Sequence, residues 1–217
     1  KISIHEFRNG KRWFSPKCVH LPKLGKKHGR FCYRDFIITM DNFMSSENIL
    51  NQWLEEERQV RERLHPVGVI PIAQLAAYTG LEFLKKMLAG ELPSTPIANT
   101  LDFILIHVEL GKVIFQGNPQ FHHYNPLGSV HGGWFCTLLD SAVGCAIQTQ
   151  LPKGKGYTTL EIKVNMMRPL TQELPVIRAE GRTLHVGRQT AVAEGKIIGV
   201  DGKVYAHATT TCLIFDI

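Results

Sequence analysis

Asn125-Pro126-Leu127-Gly128-Ser129-Val130-His131-Gly132-Gly133, running on through Trp134-Phe135-Cys136-Thr137-Leu138-Leu139-Asp140, is the stretch on which the reading of this chain turns. Its first part reads as an irregular polar loop that ends at a glycine pair. From Trp134 to Ile147 nearly every residue is then apolar or small. A segment apolar on all sides is a helix buried in a core, not one lying on a surface. It is too short and too interrupted to span a membrane, which takes roughly 20 apolar residues.

Asp140 interrupts that apolar run. An ionised carboxylate inside a core is costly unless it is paired or put to use. It can be a structural aspartate, held by backbone amides or a nearby base. The helix entrance offers a second reading. Free N–H groups at a helix start, uncovered by Gly132 and Gly133, form a ready site for a developing oxyanion. Oxyanion donors together with a carboxylate base or nucleophile are what acyl transfer requires.

Spacing constrains how the two could cooperate. Asp140 follows Gly132 by eight residues, which is about 12 Å along a helix. Both groups must approach within roughly 3 Å of the reacting carbonyl or its water. Two such helices, antiparallel across a two-fold axis, would each bring a glycine end beside the other's aspartate. The sequence therefore points to a homodimer with active sites at its interface.

These residues resemble the signature of the PaaI-like hotdog-fold acyl-CoA thioesterases: Asn125, six residues before His131-Gly132-Gly133, followed by Asp140. The resemblance continues through Tyr157-Thr158-Thr159-Leu160 and Met167-Arg168-Pro169. It ends with His185, Gly187, Arg188 and Asp201-Gly202-Lys203-Val204-Tyr205-Ala206, covering roughly Leu81 to Phe215 in all. It implies an α+β hotdog fold, an antiparallel β-sheet wrapped around one long central helix. Two features have no counterpart in that pattern, a basic N-terminal tail and a long helix at the front.

Of the 217 residues, 1–43 hold ten Lys/Arg against three Asp/Glu, whereas the remaining 174 hold fifteen against sixteen. The formal charge of +6 thus describes the tail and not the domain. That tail mixes basic residues, Gly, Pro and His without aromatic–basic order, so nucleic-acid binding is not expected of it. Residues 1–43 are expected to be a basic, mostly disordered extension ahead of a start-like Met44. The five cysteines, Cys18, Cys32, Cys136, Cys145 and Cys212, show no close pairing and no zinc spacing. They read as reduced thiols in a cytoplasmic protein without a metal.

Residues 44–96 read as a helical lead-in and 97–217 as the hotdog domain. A charged helix is expected over 46–64, with Ser46 able to cap it and Pro66 ending it. A second helical run is expected over Ile72–Leu88. Its Ala73–Gly80 part superficially suggests a helix-turn-helix, but no following helix carries a cluster of Arg, Lys, Asn or Gln. Leu101–Gln116 alternates as two strands about Gly111. Strands are expected over Tyr157–Met167, Leu174–His185, Gln189–Val200 and Val204–Ile214, the last two joined by an Asp201-Gly202 hairpin. His122 and His123 read as solvated loop residues.

By resemblance, the reaction is hydrolysis of an acyl-CoA thioester to free acid and coenzyme A, with no cofactor. Asp140 would be general base or nucleophile, Gly132 N–H the oxyanion donor, and Asn125 the group that orients carbonyl or water. Thr159 occupies the hydroxyl position near the water. Thr158 competes for it, because a one-residue slip of register exchanges their faces. His131 would position the glycine turn, alongside Gly133. Arg168, Arg188 and Lys163 are candidates for the coenzyme A phosphates, and Trp134, Phe135 and Met166 for the acyl pocket. The resemblance also implies a homodimer, paired into a dimer of dimers, with no membrane partner. Two readings compete with hydrolysis. One is a hotdog dehydratase or hydratase, which would want a histidine shuttle. The other is a non-catalytic acyl-CoA-binding sensor, which has no need to bury Asp140.

Overall fold

A computed structural model describes residues 33–217, with side chains from Ser46 onward. Residues 1–32, which include most of the expected basic tail together with Cys18 and Cys32, lie outside the described residues. In chain order the elements are α1 (Tyr33–Arg61), α2 (Ile72–Ala76), α3 (Gly80–Leu88), α4 (Pro96–Thr100), β1 (Phe103–Glu109) and β2 (Lys112–Gly117). A single 3-10 turn (Phe121–His123) then leads to α5 (Gly132–Gln148), β3 (Lys155–Met166), β4 (Ile177–Val186), β5 (Thr190–Gly199) and β6 (Val204–Asp216).

The six strands make one sheet in the order β1-β2-β4-β5-β6-β3, antiparallel at every pairing. The apolar run after the glycines forms α5, with Leu138, Leu139, Ala142, Val143, Ala146 and Ile147 fully buried. Strands on both sides of the sheet centre supply its seat, through Val113, Phe115, Ile177, Ala179, Ala193, Ile197 and Ala208. The hairpin between β5 and β6 turns at Gly202, whose φ of +72° is the left-handed conformation that glycine adopts freely.

Two helix boundaries differ from those read in the sequence. The first helix runs Tyr33–Arg61, so Ser46 lies inside it and does not cap it. The segment expected as one helix over Ile72–Leu88 is two. Thr79 breaks it by starting a capping box: its hydroxyl accepts from Glu82 N at 3.3 Å, and Glu82 accepts from Thr79 N at 2.8 Å. The α3 helix commits Leu84, 2% exposed, to the core of the hotdog-like layer. That use of its apolar face leaves the helix-turn-helix reading without support.

The lead-in helix covers the sheet face opposite α5. Ile177 and Ala179 face α5, so the alternation of β4 turns Arg178 the other way. There Arg178 stacks over the Trp53 ring at 4.4 Å and donates to Gln116 Oε1 at 2.9 Å, its register partner on β2. Gln116 in turn donates to Glu57 Oε2 at 2.7 Å and to the Trp53 carbonyl at 3.1 Å. Arg178 also pairs with Glu56. Trp53 packs on Val176 and Val200 beside this network. Arg178, Gln116 and Glu57 therefore each have a partner, the condition under which such a network is tolerated in a core.

Candidate active site

The site is built where α5 and β3 run side by side in opposite directions. Three close approaches fix that alignment. A Cβ on Gly144 would meet the Tyr157 hydroxyl at 2.5 Å, and one on Gly132 would meet Met166 Cε at 2.8 Å. Between them, Thr159 Oγ1 donates to Asp140 Oδ1 at 2.9 Å. The question between the two threonines is thereby answered: Thr159 faces Asp140, whereas Thr158 is exposed on the other face.

Asp140 is half-buried, one helical turn beyond Cys136 and with Ser141 beside it. Cys212 stands behind Thr159, its sulfur 3.9 Å from Thr159 Oγ1. Burial pushes the Cys145 thiol up to about 12 and raises Cys212 as well, with the nearby Asp140 charge acting in the same direction. Burial likewise raises Tyr157 well above its usual value. These groups stay protonated at neutral pH, so neither thiol is a nucleophile here.

At the other end of the site, His131 is the N-cap of α5, and its ring Nδ1 accepts from Gly133 N at 2.9 Å. His131 thus closes the glycine turn through its own ring. Gly133 N–H is thus occupied, and Trp134 N–H goes to the His131 carbonyl at 3.0 Å. The N–H of Gly132 has no partner among the described residues. It is the free donor at the positive end of the helix.

Other candidates take different places. Asn125 Oδ1 accepts from Leu127 N at 2.9 Å and from Ser129 N at 3.3 Å, while its Nδ2 donates to Ser129 Oγ at 3.1 Å. Its amide holds the loop before α5. Trp134 and Phe135 are core residues, 3% and 2% exposed, and the indole N–H donates to the Leu101 carbonyl at 2.9 Å. They do not line an open acyl pocket in this chain, because the helix face they occupy is the one turned to the sheet. Met166 is half exposed at the mouth of the Gly132 turn. Arg168 bonds the Val204 carbonyl. Arg188, in the β4–β5 turn, and Lys163 are exposed and make no ion pair among the described residues.

His123 was read as a solvated loop residue and is instead buried, 6% exposed, with its ring 5.6 Å from that of Trp134. Its carbonyl accepts from His131 N at 2.8 Å, so it also supports the helix entrance. Nothing in its spacing announces this; the signal would have been Trp134 needing a flat partner. Burial first, and His122 second, lower its pKa below the usual 6.5. The folded protein then binds fewer protons than the unfolded chain once the pH falls through 6.5. Stability should drop with pH from there down to the lowered folded value, with no such loss above 6.5. Thermal melts of wild type and His123→Gln between pH 5 and 8 would test it, and parallel slopes would sink the assignment.

Two surface depressions, of about 360 and 580 Å³, lie along α1. Neither is lined by Asp140, Gly132 or Thr159. Among the described residues no helix is long and apolar enough to cross a membrane.

A six-stranded antiparallel sheet around one buried helix, with a carboxylate midway along that helix and a glycine pair at its start, defines a hotdog domain. The profile of the thioesterase superfamily matches residues 127–206, from the loop before α5 into β6. Over residues 127–206 the chain is thus similar to the thioesterase superfamily, and its fold is the hotdog fold. Among similar proteins, a candidate esterase of Halobacterium salinarum is 34% identical over 73 residues, 33% of this chain and 46% of its own length. The chain therefore spans about half of that relative. The 1,4-dihydroxy-2-naphthoyl-CoA hydrolase of Listeria monocytogenes is 23% identical over 118 residues, covering 54% of this chain and 94% of the hydrolase. Among solved structures, a candidate thioesterase from Ralstonia eutropha, described as phenylacetic acid degradation-related, superposes with a TM-score of 0.56 at 28% identity. That alignment covers 60% of this chain and 98% of the other.

Proposed function

We propose that this chain hydrolyses an acyl-CoA thioester to the free acid and coenzyme A, at sites completed across a two-fold homodimer. One observation carries the reading: Thr159 holds Asp140 by a 2.9 Å hydrogen bond on the same helix whose first N–H, at Gly132, is free. Asp140 takes a proton from water, the water oxygen attacks the thioester carbonyl carbon, and the oxyanion forms against Gly132 N–H. The carbon–sulfur bond then breaks, and coenzyme A leaves as the thiol with that proton. If Asp140 instead attacks directly, the carbon–sulfur bond breaks, coenzyme A leaves as the thiolate and a mixed anhydride forms. Water then attacks the aspartyl carbon, releasing the free acid and restoring the carboxylate, with its proton going to the thiolate. A single turnover in ¹⁸O-water labels the Asp140 carboxylate only in the second route.

The partner copy is argued from reach and from the sheet edge. Gly132 and Asp140 of one helix lie about 12 Å apart, too far for one carbonyl. Among the described residues β3 pairs only with β6, which leaves its outer edge without a partner there, and Leu160, Met166 and Met167 are exposed along it. A long strand edge of this kind is a template for pairing with another chain. Pairing of two copies there brings the partner's Gly132 towards Asp140. A dimer of dimers would have to accommodate α1 on the outer sheet face. The free thiols Cys136, Cys145 and Cys212 suit a reducing, cytoplasmic setting, and the reaction needs no cofactor beyond the substrate's own coenzyme A.

Aromatic acyl groups come first among substrates, because the names of the Listeria and Ralstonia proteins are tied to aromatic acids. Release of free coenzyme A thiol should be followed over arylacetyl, hydroxylated aromatic, short-chain and medium-chain thioesters. Turnover of at least one class is expected. Tight acyl-CoA binding without turnover of any would overturn hydrolysis and favour the sensor.

A further inference from the structure

We propose that Thr210 is a positioning residue for this site: it pins a bulge in β3 that decides which threonine meets Asp140. The inference rests on the hydrolytic reading for its kinetic consequences but not for its structural content.

The strand β3 changes phase partway along. Tyr157 and Thr159, both odd-numbered, face α5, but after them the residues packed inward are Ile162 and Val164, both even-numbered. Met166 continues the even set against Gly132. An unbroken strand shows alternate residues to one face, so it cannot present both sets to the same helix. The change occurs where the β3–β6 register shifts between Thr159 and Glu161, leaving Leu160 unpaired and 58% exposed. Bulges do this: they insert one residue and re-aim the side chains on either side.

Without the bulge the apolar set Ile162, Val164 and Met166 would still demand burial. It would carry Thr158 onto the α5 face and send Thr159 outward. Asp140 would then lose the hydroxyl that now lies 2.9 Å from it. The bulge, and not the local Tyr-Thr-Thr sequence, selects Thr159.

Thr210 holds the bulge closed. It sits on β6 opposite Ile162, is 1% exposed, and its hydroxyl donates to the Glu161 carbonyl at 2.7 Å. That carbonyl belongs to the residue that follows the inserted one. The same hydroxyl lies 3.9 Å from Cys212 Sγ, and Cys212 lies 3.9 Å from Thr159 Oγ1. Thr210 and Cys212 therefore brace both flanks of the bulge from β6. Most of β6 here is threonine, Thr209 to Thr211, and only Thr210 turns its hydroxyl into this buried spot.

The test combines kinetics with a signal that needs no turnover. Thr210→Val keeps shape and removes the donor; Thr210→Ser keeps the donor. Against the best thioester, Thr210→Val should lower kcat roughly tenfold, with KM changed less than about twofold, while Thr210→Ser stays near wild type. In a Thr159→Ala background, Thr210→Val should add almost nothing, because its effect passes through Thr159. Equal losses in both backgrounds would make Thr210 merely structural and overturn the proposal, as would an unchanged kcat. The ¹³C resonance of the Asp140 carboxyl gives the independent readout. Thr210→Val should move it in the same direction as Thr159→Ala, and Thr210→Ser should not. If wild type hydrolyses no thioester, this signal still decides: movement upholds the bulge assignment while the hydrolytic reading falls, and a fixed resonance overturns the assignment itself.

Discussion

Asp140→Asn is expected to lower kcat for thioester hydrolysis by roughly 10²-fold or more, with the oligomer intact and KM little changed. The substitution keeps the volume of the side chain and leaves an oxygen to accept from Thr159 Oγ1 at the same place. What it removes is the capacity to take a proton from water or to attack the carbonyl. A 10²-fold loss is about 2.7 kcal/mol of transition-state stabilisation, within the range of a positioned base. Thr159→Ala should be milder, roughly tenfold, because it disturbs the orientation of the carboxylate and not its chemistry. The measurement is free thiol release at saturating and subsaturating thioester, with size-exclusion elution as the control for assembly. A variant within threefold of wild type would remove Asp140 from the reaction. Cys145 and Cys212 could not then replace it, since burial keeps both protonated. The search would move to the exposed rim of β3.

Much of the fold could be read in the chain because single features carried it. The largely apolar run from Trp134 to Ile147 had no surface to face, and it became the buried α5. The Asp201-Gly202 pair required a tight hairpin, and β5 and β6 pair across it. The site was legible where spacing along one element was enough: Gly132, His131 and Asp140 lie on or at the start of one helix. It was not legible where partners came from elsewhere in the chain. Thr159 against Thr158 depends on a bulge held by Thr210, 51 positions away from Thr159 and invisible to local alternation. Asn125 looked like a ligand-facing amide, yet the nearest unpaired N–H groups were those of its own loop, at Leu127 and Ser129. Arg178 looked like any strand arginine until Trp53 and Glu56, more than a hundred residues upstream, were laid over it. Long-range pairing set the threonine and arginine outcomes, whereas closure of its own loop set that of Asn125.

Gly181→Ala should damage the protein more than any other single methyl added to the sheet under α5. A Cβ at position 181 would lie 2.1 Å from the Ala142 carbonyl oxygen, 2.4 Å from its carbon and 2.8 Å from Val143 N. All three atoms are helix backbone, so no rotamer change can make room. Either β4 recedes or α5 lifts by more than an ångström. Each path opens space around Leu139, Val143 and Ala179, which now have no exposed surface. Overpacking in a close-packed core costs about 1–3 kcal/mol when side chains can yield, so about 3 kcal/mol or more is expected where they cannot. For a unit of this size that is a fall in Tm of roughly 6–12 °C. Gly195, the register partner of Gly181 on β5, supplies the internal comparison. Its added Cβ would lie 2.6 Å from Val143 Cγ1 and 3.0 Å from the Glu180 carbonyl, so a side chain there can share the displacement. Gly195→Ala should therefore be the milder of the two in a thermal melt. The consequence for catalysis follows from the same geometry, because the helix turn carrying Ala142 and Val143 also carries Asp140. Lifting it by an ångström stretches the 2.9 Å bond from Thr159 beyond hydrogen-bonding range. Gly181→Ala protein that still folds should lose kcat well out of proportion to KM. A variant with both Tm and kcat at wild-type values would mean that α5 does not rest directly on β4.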